Sequence, residues 1–108
     1  MEIPIKIIQA SKFDLAEIEV LQASSFPADK QLTSHILEES IRKCADTFLV
    51  ARDENQLLGY ILSSPQAHKP QCLEIHSLVI KADHQRQGLG TLLLAALKDV
   101  AVELDYKA

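Results

Sequence analysis

The chain has 108 residues, 47% of them hydrophobic and 24% charged, with a formal net charge of −4. That is enough for one small domain, residues 1–108, with a core of its own. No basic run is present and no apolar stretch is long enough to cross a bilayer, so neither nucleic acid nor a membrane is an expected partner.

The start, Met1-Glu2-Ile3-Pro4-Ile5-Lys6, lacks a basic segment followed by an apolar one, so a signal peptide is not expected and the chain is read as cytoplasmic. Ile3 to Gln9 alternates loosely and reads as a first strand, Pro4 suiting a strand start or an edge. Ser11-Lys12-Phe13-Asp14 fits a capping box with Ser11 as N-cap; Asp14 as N-cap with Glu17 is the alternative. A helix follows to about Ser24, with Leu15, Ile18 and Leu21 on one side. Phe26-Pro27-Ala28-Asp29 breaks it, because proline disfavours the helical region for the residue before it. A second helix starts near Thr33 or Ser34 and runs to about Ala45. Its stripe is Leu37, Ile41 and Cys44, and Glu38, Glu39, Arg42 and Lys43 form a solvated face.

Thr47 to Arg52 and Gln56 to Ser63 form a hairpin around the turn composition Asp53-Glu54-Asn55. Gly59 marks a bulge or the close approach of another backbone, or is only a small residue under a neighbour. After a loop from Ser64 to Gln71, Leu73-Glu74-Ile75-His76-Ser77-Leu78-Val79-Ile80 reads as a strand. It leads into the most apolar helix, so a central place in the sheet is expected. That helix, Thr91 to about Leu104, carries Leu93, Leu97, Val100 and Leu104, widened by Leu92, Ala96 and Ala101. The order β-α-α-β-β-β-α gives an α/β fold of the layered α+β kind, a mainly antiparallel mixed sheet flanked by helices. Cys44 and Cys72 lie far apart without metal-ligand spacing and read as reduced thiols. His35, His68, His76 and His84 form no ligand motif, so no metal is expected.

Gln85-Arg86-Gln87-Gly88-Leu89-Gly90-Thr91 joins the strand to the helix. The first N–H groups of a helix have no intrahelical partner and the helix dipole favours an anion there, so a strand feeding a glycine loop at a helix start is a way to hold phosphate. A Walker A loop needs Gly-x-x-x-x-Gly-Lys and then Ser or Thr, and no such run exists. A dinucleotide fingerprint needs a third small residue where Leu93 stands, and it opens a first βαβ unit instead of lying late in the chain. The pattern that fits is Gln/Arg-x-x-Gly-x-Gly/Ala, met by Gln85, Gly88 and Gly90.

In its strand–loop–helix setting this pattern resembles motif A of the GNAT N-acetyltransferase superfamily, whose loop cradles the pyrophosphate of acetyl-CoA. The resemblance implies an acyl-CoA N-acyltransferase fold, acetyl-CoA as cosubstrate without a metal, and an amine acceptor, small molecule or peptide. By position it assigns the phosphates to Gln85, Arg86, Gln87, Gly88, Leu89, Gly90 and Thr91. It assigns the pantetheine arm to the backbones of Leu78, Val79 and Ile80, paired like an added strand. Acetyl transfer needs a base for the ammonium and a donor for the thioester oxygen. Period-two alternation puts Glu74, His76, Leu78 and Ile80 on one face, with Glu74 and His76 close enough to share a water.

Leu-Glu-Ile-His-Ser-Leu-Val-Ile before Gln-Arg-Gln-Gly-Leu-Gly is most similar to the arylalkylamine N-acetyltransferase branch, with His76 matching the second of its two strand histidines. Glu74 departs from the first, and stands instead where histone-acetyltransferase-like members place a base glutamate. The resemblance gives the oxyanion to the Leu78 N–H and likens Phe26-Pro27 to an acceptor-side aromatic loop, although a core phenylalanine in an interhelix turn fits as well. His84 flanks the phosphate loop. The superfamily fold continues past the motif-A helix with a strand, a helix and a strand pair, so the chain is expected to be C-terminally incomplete, and Tyr106 lies too early to be the superfamily's acid. A non-catalytic CoA-binding or assembly module, completing its sheet with another chain, is the alternative. An exposed edge beside Leu73–Ile80 would invite a homodimer.

Overall fold

The computed structural model describes residues 5–85 and 88–106. Strands β1 (Lys6–Gln9), β2 (Phe48–Arg52), β3 (Leu57–Pro65) and β4 (Leu73–Ile80) form one sheet in the order β1-β2-β3-β4, every pairing antiparallel. Helices α1 (Leu15–Ser25) and α2 (Ser34–Lys43) pack on one face, and α3 (Leu89–Glu103) packs on the other. The expected strand at Ile3 begins at Lys6, and its first residues through Pro4 lie outside the described residues.

Local chemistry sets the helix starts. Ser11 is the cap: its N–H donates to Asp14 Oδ2 at 2.8 Å, and Phe13 N–H donates to Ser11 Oγ at 3.3 Å. The box closes a 3-10 turn, Lys12–Asp14, and α1 grows from it. Asp14 is buried and also accepts from Arg52 Nη1 at 2.8 Å, while Arg52 Nη2 donates to Glu17 Oε1 at 2.8 Å. Glu17 Oε2 takes the Leu57 N–H at 2.8 Å, so the start of α1 is tied to both strands of the β2–β3 hairpin. Burial pushes the Glu17 carboxyl up, but the Leu57 N–H and Arg52 outweigh it and hold the group below its ordinary value. Thr33 caps α2, its Oγ1 accepting the Ile36 N–H at 3.2 Å.

The sheet is covered on both faces, which is why β2 and β3 read as continuous apolar runs instead of alternating. Phe48, Val50, Tyr60, Leu62 and Val79 join Ile18, Leu21 and Leu37 on the α1–α2 face. Leu49, Ala51 and Ile61, with Leu78 and Ile80 beside them, join Leu93 and Leu97 on the α3 face. Leu89, Leu93, Leu97 and Ala101, four apart, are the buried line of α3. Leu92 and Leu104, expected in that stripe, are 48% and 44% exposed: the first points away from the sheet and the second follows the helix end.

Two bulges shape the site. Ala51 faces Gly59 and Arg52 faces Leu57, so Leu58 is the extra residue in β3. A Cβ on Gly59 would lie 2.8 Å from the Val79 carbonyl oxygen and 2.7 Å from Ile80 Cδ1, so glycine here admits the β4 backbone. In β4, Ser77 faces Leu62 and Ile75 faces Ser63, leaving His76 extra.

That second bulge corrects the expected faces. Leu78 and Ile80 pack towards α3, whereas Val79 and Ser77, the latter bonded to Tyr60, belong to the α1–α2 side. Glu74 stands opposite Ser64, and His76 is hydrogen-bonded to Ser64, so both acidic and imidazole side chains share the α1–α2 side and are parted from Leu78 and Ile80. Simple alternation fails because the inserted residue shifts the period by one.

The strand expected to be central is an edge strand among the described residues. The Lys81 N–H donates to the Leu58 carbonyl at 2.8 Å, one step beyond the Gly59–Ile80 pair. Antiparallel ladders alternate bonded and open pairs, so Val79 bonds inward to Tyr60 while the N–H and C=O of Leu78 and Ile80 point to the open edge.

Candidate functional site

The loop after β4 turns through Ala82–His84 and reaches Gln85, whose Nε2 donates to the outward Ile80 carbonyl at 3.1 Å. Arg86 and Gln87 lie outside the described residues. Gly88 then sits at φ 82°, ψ 8°, a left-handed conformation that glycine adopts at no steric cost, and it is the N-cap of α3. Having no side chain, Gly88 leaves the first N–H groups of α3, on Leu89, Gly90 and Thr91, without a side-chain cap. Leu89 is buried through its side chain, so only its N–H can face a ligand.

Gly90 is the informative glycine. A Cβ there would meet nothing within 4 Å among the described residues, and its φ is not positive. Among the described residues neither packing nor backbone geometry asks for glycine at this position, inside the first turn of a helix where glycine weakens the structure. A bare backbone beside open space and uncapped amides is what a pyrophosphate needs.

On the other side of the sheet, Ser64 Oγ and His76 Nε2 are 2.6 Å apart. They open into a cavity of about 180 Å³ lined by Leu32, Ile36, Ser40, Cys44, Leu62, Ser64 and His76. Among the described residues no side chain carrying a fixed charge lines it. Glu74 is exposed on the same face, directly across from Ser64, and does not line the cavity. Beneath them Tyr60 is buried with its hydroxyl 3.0 Å from Ser77 Oγ; burial raises its pKa, the Ser77 bond opposing, so it stays neutral. Burial likewise raises the Cys44 thiol, with Lys43 opposing, and it behaves as a small apolar wall.

The expected acceptor loop is arranged differently. Phe26 is half-buried and packs into the α1–α2 core, and Pro27 is exposed. Neither lines the cavity; Leu32 and Ile36, from the end of the same connection and the first turn of α2, do. The sequence does not single out Leu32, Ile36 or Ser64, and it marks Cys44 only as part of the α2 stripe and as a reduced thiol. Ser64 opens the loop expected from Ser64 to Gln71, whereas β3 runs on to Pro65 and sets Ser64 across from Glu74. His84, near the loop, is 3.9 Å from Asp83, and its Nδ1 has no partner among the described residues.

The edge strand β4 thus leads to a helix start, at Gly88, that has no side-chain cap, and it carries His76 beside a small polar–apolar cavity. The family model described as "Acetyltransferase (GNAT) family" matches residues 14–108, and the chain belongs to that family. Among solved structures it is similar to diaminobutyrate acetyltransferase EctA from Paenibacillus lautus, in complex with L-2,4-diaminobutyric acid and coenzyme A, with a TM-score of 0.80 and 17% identity over 91% of this chain and 58% of that one. Ard1 from Thermoplasma volcanium gives a TM-score of 0.82 at 17% identity, over 94% of this chain and 66% of that one. N-acetylglutamate synthase from Neisseria gonorrhoeae, complexed with coenzyme A and L-arginine, gives 0.78 at 24%, over 97% of this chain and 23% of that one. The chain thus spans less than two thirds of the length of these structures, and at these identities the likeness is one of fold. Comparison with curated protein sequences finds no match. No helix among the described residues is long and apolar enough to cross a membrane.

Proposed function

We propose that the protein transfers an acetyl group from acetyl-CoA to a primary amine, of a small molecule or a peptide. The observation that carries this is the bare first turn of α3 at Gly88–Thr91, which follows the outward N–H and C=O groups of β4, the strand that also carries His76 of the His76–Ser64 pair. The N–H groups of Leu89, Gly90 and Thr91 would hold the pyrophosphate, with Gln85, Arg86 and Gln87 completing the loop. Leu78 and Ile80 would pair with the pantetheine amides; Val79, bonded inward, contributes packing. Acetyl-CoA supplies the thioester.

The chain's own groups would then move one proton and steady one oxygen. The ammonium loses a proton to His76, directly or through Ser64, whose hydroxyl both donates and accepts. Glu74, across from Ser64, takes the proton onward or fixes the water that does. The amine nitrogen bonds to the carbonyl carbon, the Leu78 N–H steadies the oxyanion, the C–S bond breaks with its electron pair leaving on sulfur, and the nitrogen's second proton passes to that thiolate. We assign the open β4 edge to pantetheine; a homodimer pairing through it would compete with CoA, and sedimentation with and without CoA measures that competition.

Calorimetric titration with CoA and thiol release from acetyl-CoA across a panel of primary amines test the proposal. Glu74→Gln and His76→Ala should each lower kcat, by about 10²-fold or more for the base, and shift its pH profile. CoA binding without acetylation of any amine would sink the enzymatic reading, and unchanged pH profiles in both variants would remove these residues as the base.

A further inference from the structure

Gln22, in the last turns of α1, is 3% exposed, and its side-chain amide pairs with both backbone groups of one residue. Nε2 donates to the Leu32 carbonyl at 2.6 Å, and the Leu32 N–H donates to Oε1 at 3.0 Å. A side chain thus makes the paired bonds that a neighbouring strand would make. The connection from Phe26 to Thr33 contains only the short turn Ala28–Lys30, so the part-buried backbone groups of Leu32 take their partners from a side chain. Gln31 closes the same connection on itself, Nε2 to the Phe26 carbonyl at 2.9 Å. Immediately after Leu32, Thr33 caps α2 and fixes Ile36. Leu32 and Ile36 are the apolar walls facing His76 and Ser64 across the cavity.

We propose that Gln22 is a positioning residue for acceptor recognition: by clamping Leu32 it sets the apolar wall over His76 and thereby selects amines bearing an uncharged apolar substituent. The proposal rests on the cavity being the acceptor site. Gln22 touches neither the cavity nor the reacting atoms, so it acts only through Leu32 and the start of α2. An apolar residue at 22 would fill the space equally but leave the part-buried Leu32 N–H and C=O without these partners, and the connection would move to find others.

The full chain with Gln22→Leu and Gln22→Glu tests this, using isopentylamine as an acceptor long enough to reach the wall and ethylamine as one that is not. Gln22→Leu should raise KM for isopentylamine about tenfold, as expected for two lost hydrogen bonds partly compensated, with kcat within about threefold. KM for ethylamine and the CoA Kd should stay as in the wild type. Gln22→Glu, which still accepts the Leu32 N–H but sets a second acceptor oxygen against the Leu32 carbonyl, should show a rise of the same kind. Equal KM rises for both amines, or weakened CoA binding, would reduce Gln22 to a fold-stabilising residue and overturn the proposal. A second readout needs no turnover: in Gln22→Glu the Leu32 and Ile36 methyl and His76 ring NMR signals should shift while those of Leu93 and Leu97, across the sheet, stay. If the wild type acetylates neither amine the acceptor-site reading fails by itself, whereas an unmoved His76 signal in the folded variants overturns the positioning role.

Discussion

Replacing Gly90 with alanine separates a glycine kept for a ligand from one kept for the fold. In the free protein the added Cβ meets nothing within 4 Å among the described residues and the backbone is already helical, so alanine is unstrained there. Alanine is better than glycine in a helix by about 0.5–1 kcal/mol, and the first turn takes the lower end. For a domain of this size about 0.5 kcal/mol raises Tm by about 2 °C. With CoA the sign should reverse, because the methyl group occupies the space assigned to pyrophosphate. A tenfold loss of affinity is about 1.4 kcal/mol. At a CoA concentration of about 100 times the wild-type Kd, ligand stabilisation is about 2.7 kcal/mol for the wild type but about 1.4 kcal/mol for the variant. The variant should then melt about 3 °C below the wild type with CoA, and about 2 °C above it without. Scanning calorimetry on both proteins, with and without CoA, reads the crossing directly. Shifts of the same sign in the two conditions would refute the assignment of this turn to phosphate.

Gly59→Ala should behave in the opposite way: its Cβ would press on the Val79 carbonyl and the Ile80 side chain, costing about 1–3 kcal/mol in urea denaturation whatever the ligand. Ser64→Ala should lower kcat while leaving CoA affinity unchanged, because it removes the partner of His76 and nothing near the glycine loop; an unchanged kcat would take Ser64 out of the proton path. Glu17 has its folded-state pKa held below its ordinary 4.5, so it contributes stability that is present above that value and is lost as pH falls through the depressed one. Arg52→Ala should therefore lower stability at neutral pH, by about 2 kcal/mol or more since it also strips buried Asp14 of its cation, and flatten the acid limb of the stability curve. Denaturation midpoints from pH 3 to pH 7, as an order-of-magnitude window around carboxylate titration, decide it.

Much of this protein is written locally. Ser11 and Asp14 name their own helix start, because a capping box is an exchange between residues three apart. The β4 strand is legible over its whole length, Leu73–Ile80, from its residue types. The glycine loop is legible because phosphate binding at a helix start uses backbone amides, and glycine is the sequence trace of exposed backbone. Tertiary structure decided where side chains meet. One extra residue in β4, His76, turns Glu74 and His76 away from the side of Leu78 and Ile80, and a bulge is a property of the strand pair, invisible in either strand alone. The partners of His76 come from α2 and β3, brought together only when the sheet and its cover assemble. The placing of β4 at an edge, and hence the outward amides of Leu78 and Ile80, likewise follows from strand order, which hydrophobic pattern cannot encode when both faces of a sheet are buried. Short-range chemistry thus makes the glycine loop legible in the sequence, and long-range packing sets the face that carries Glu74 and His76.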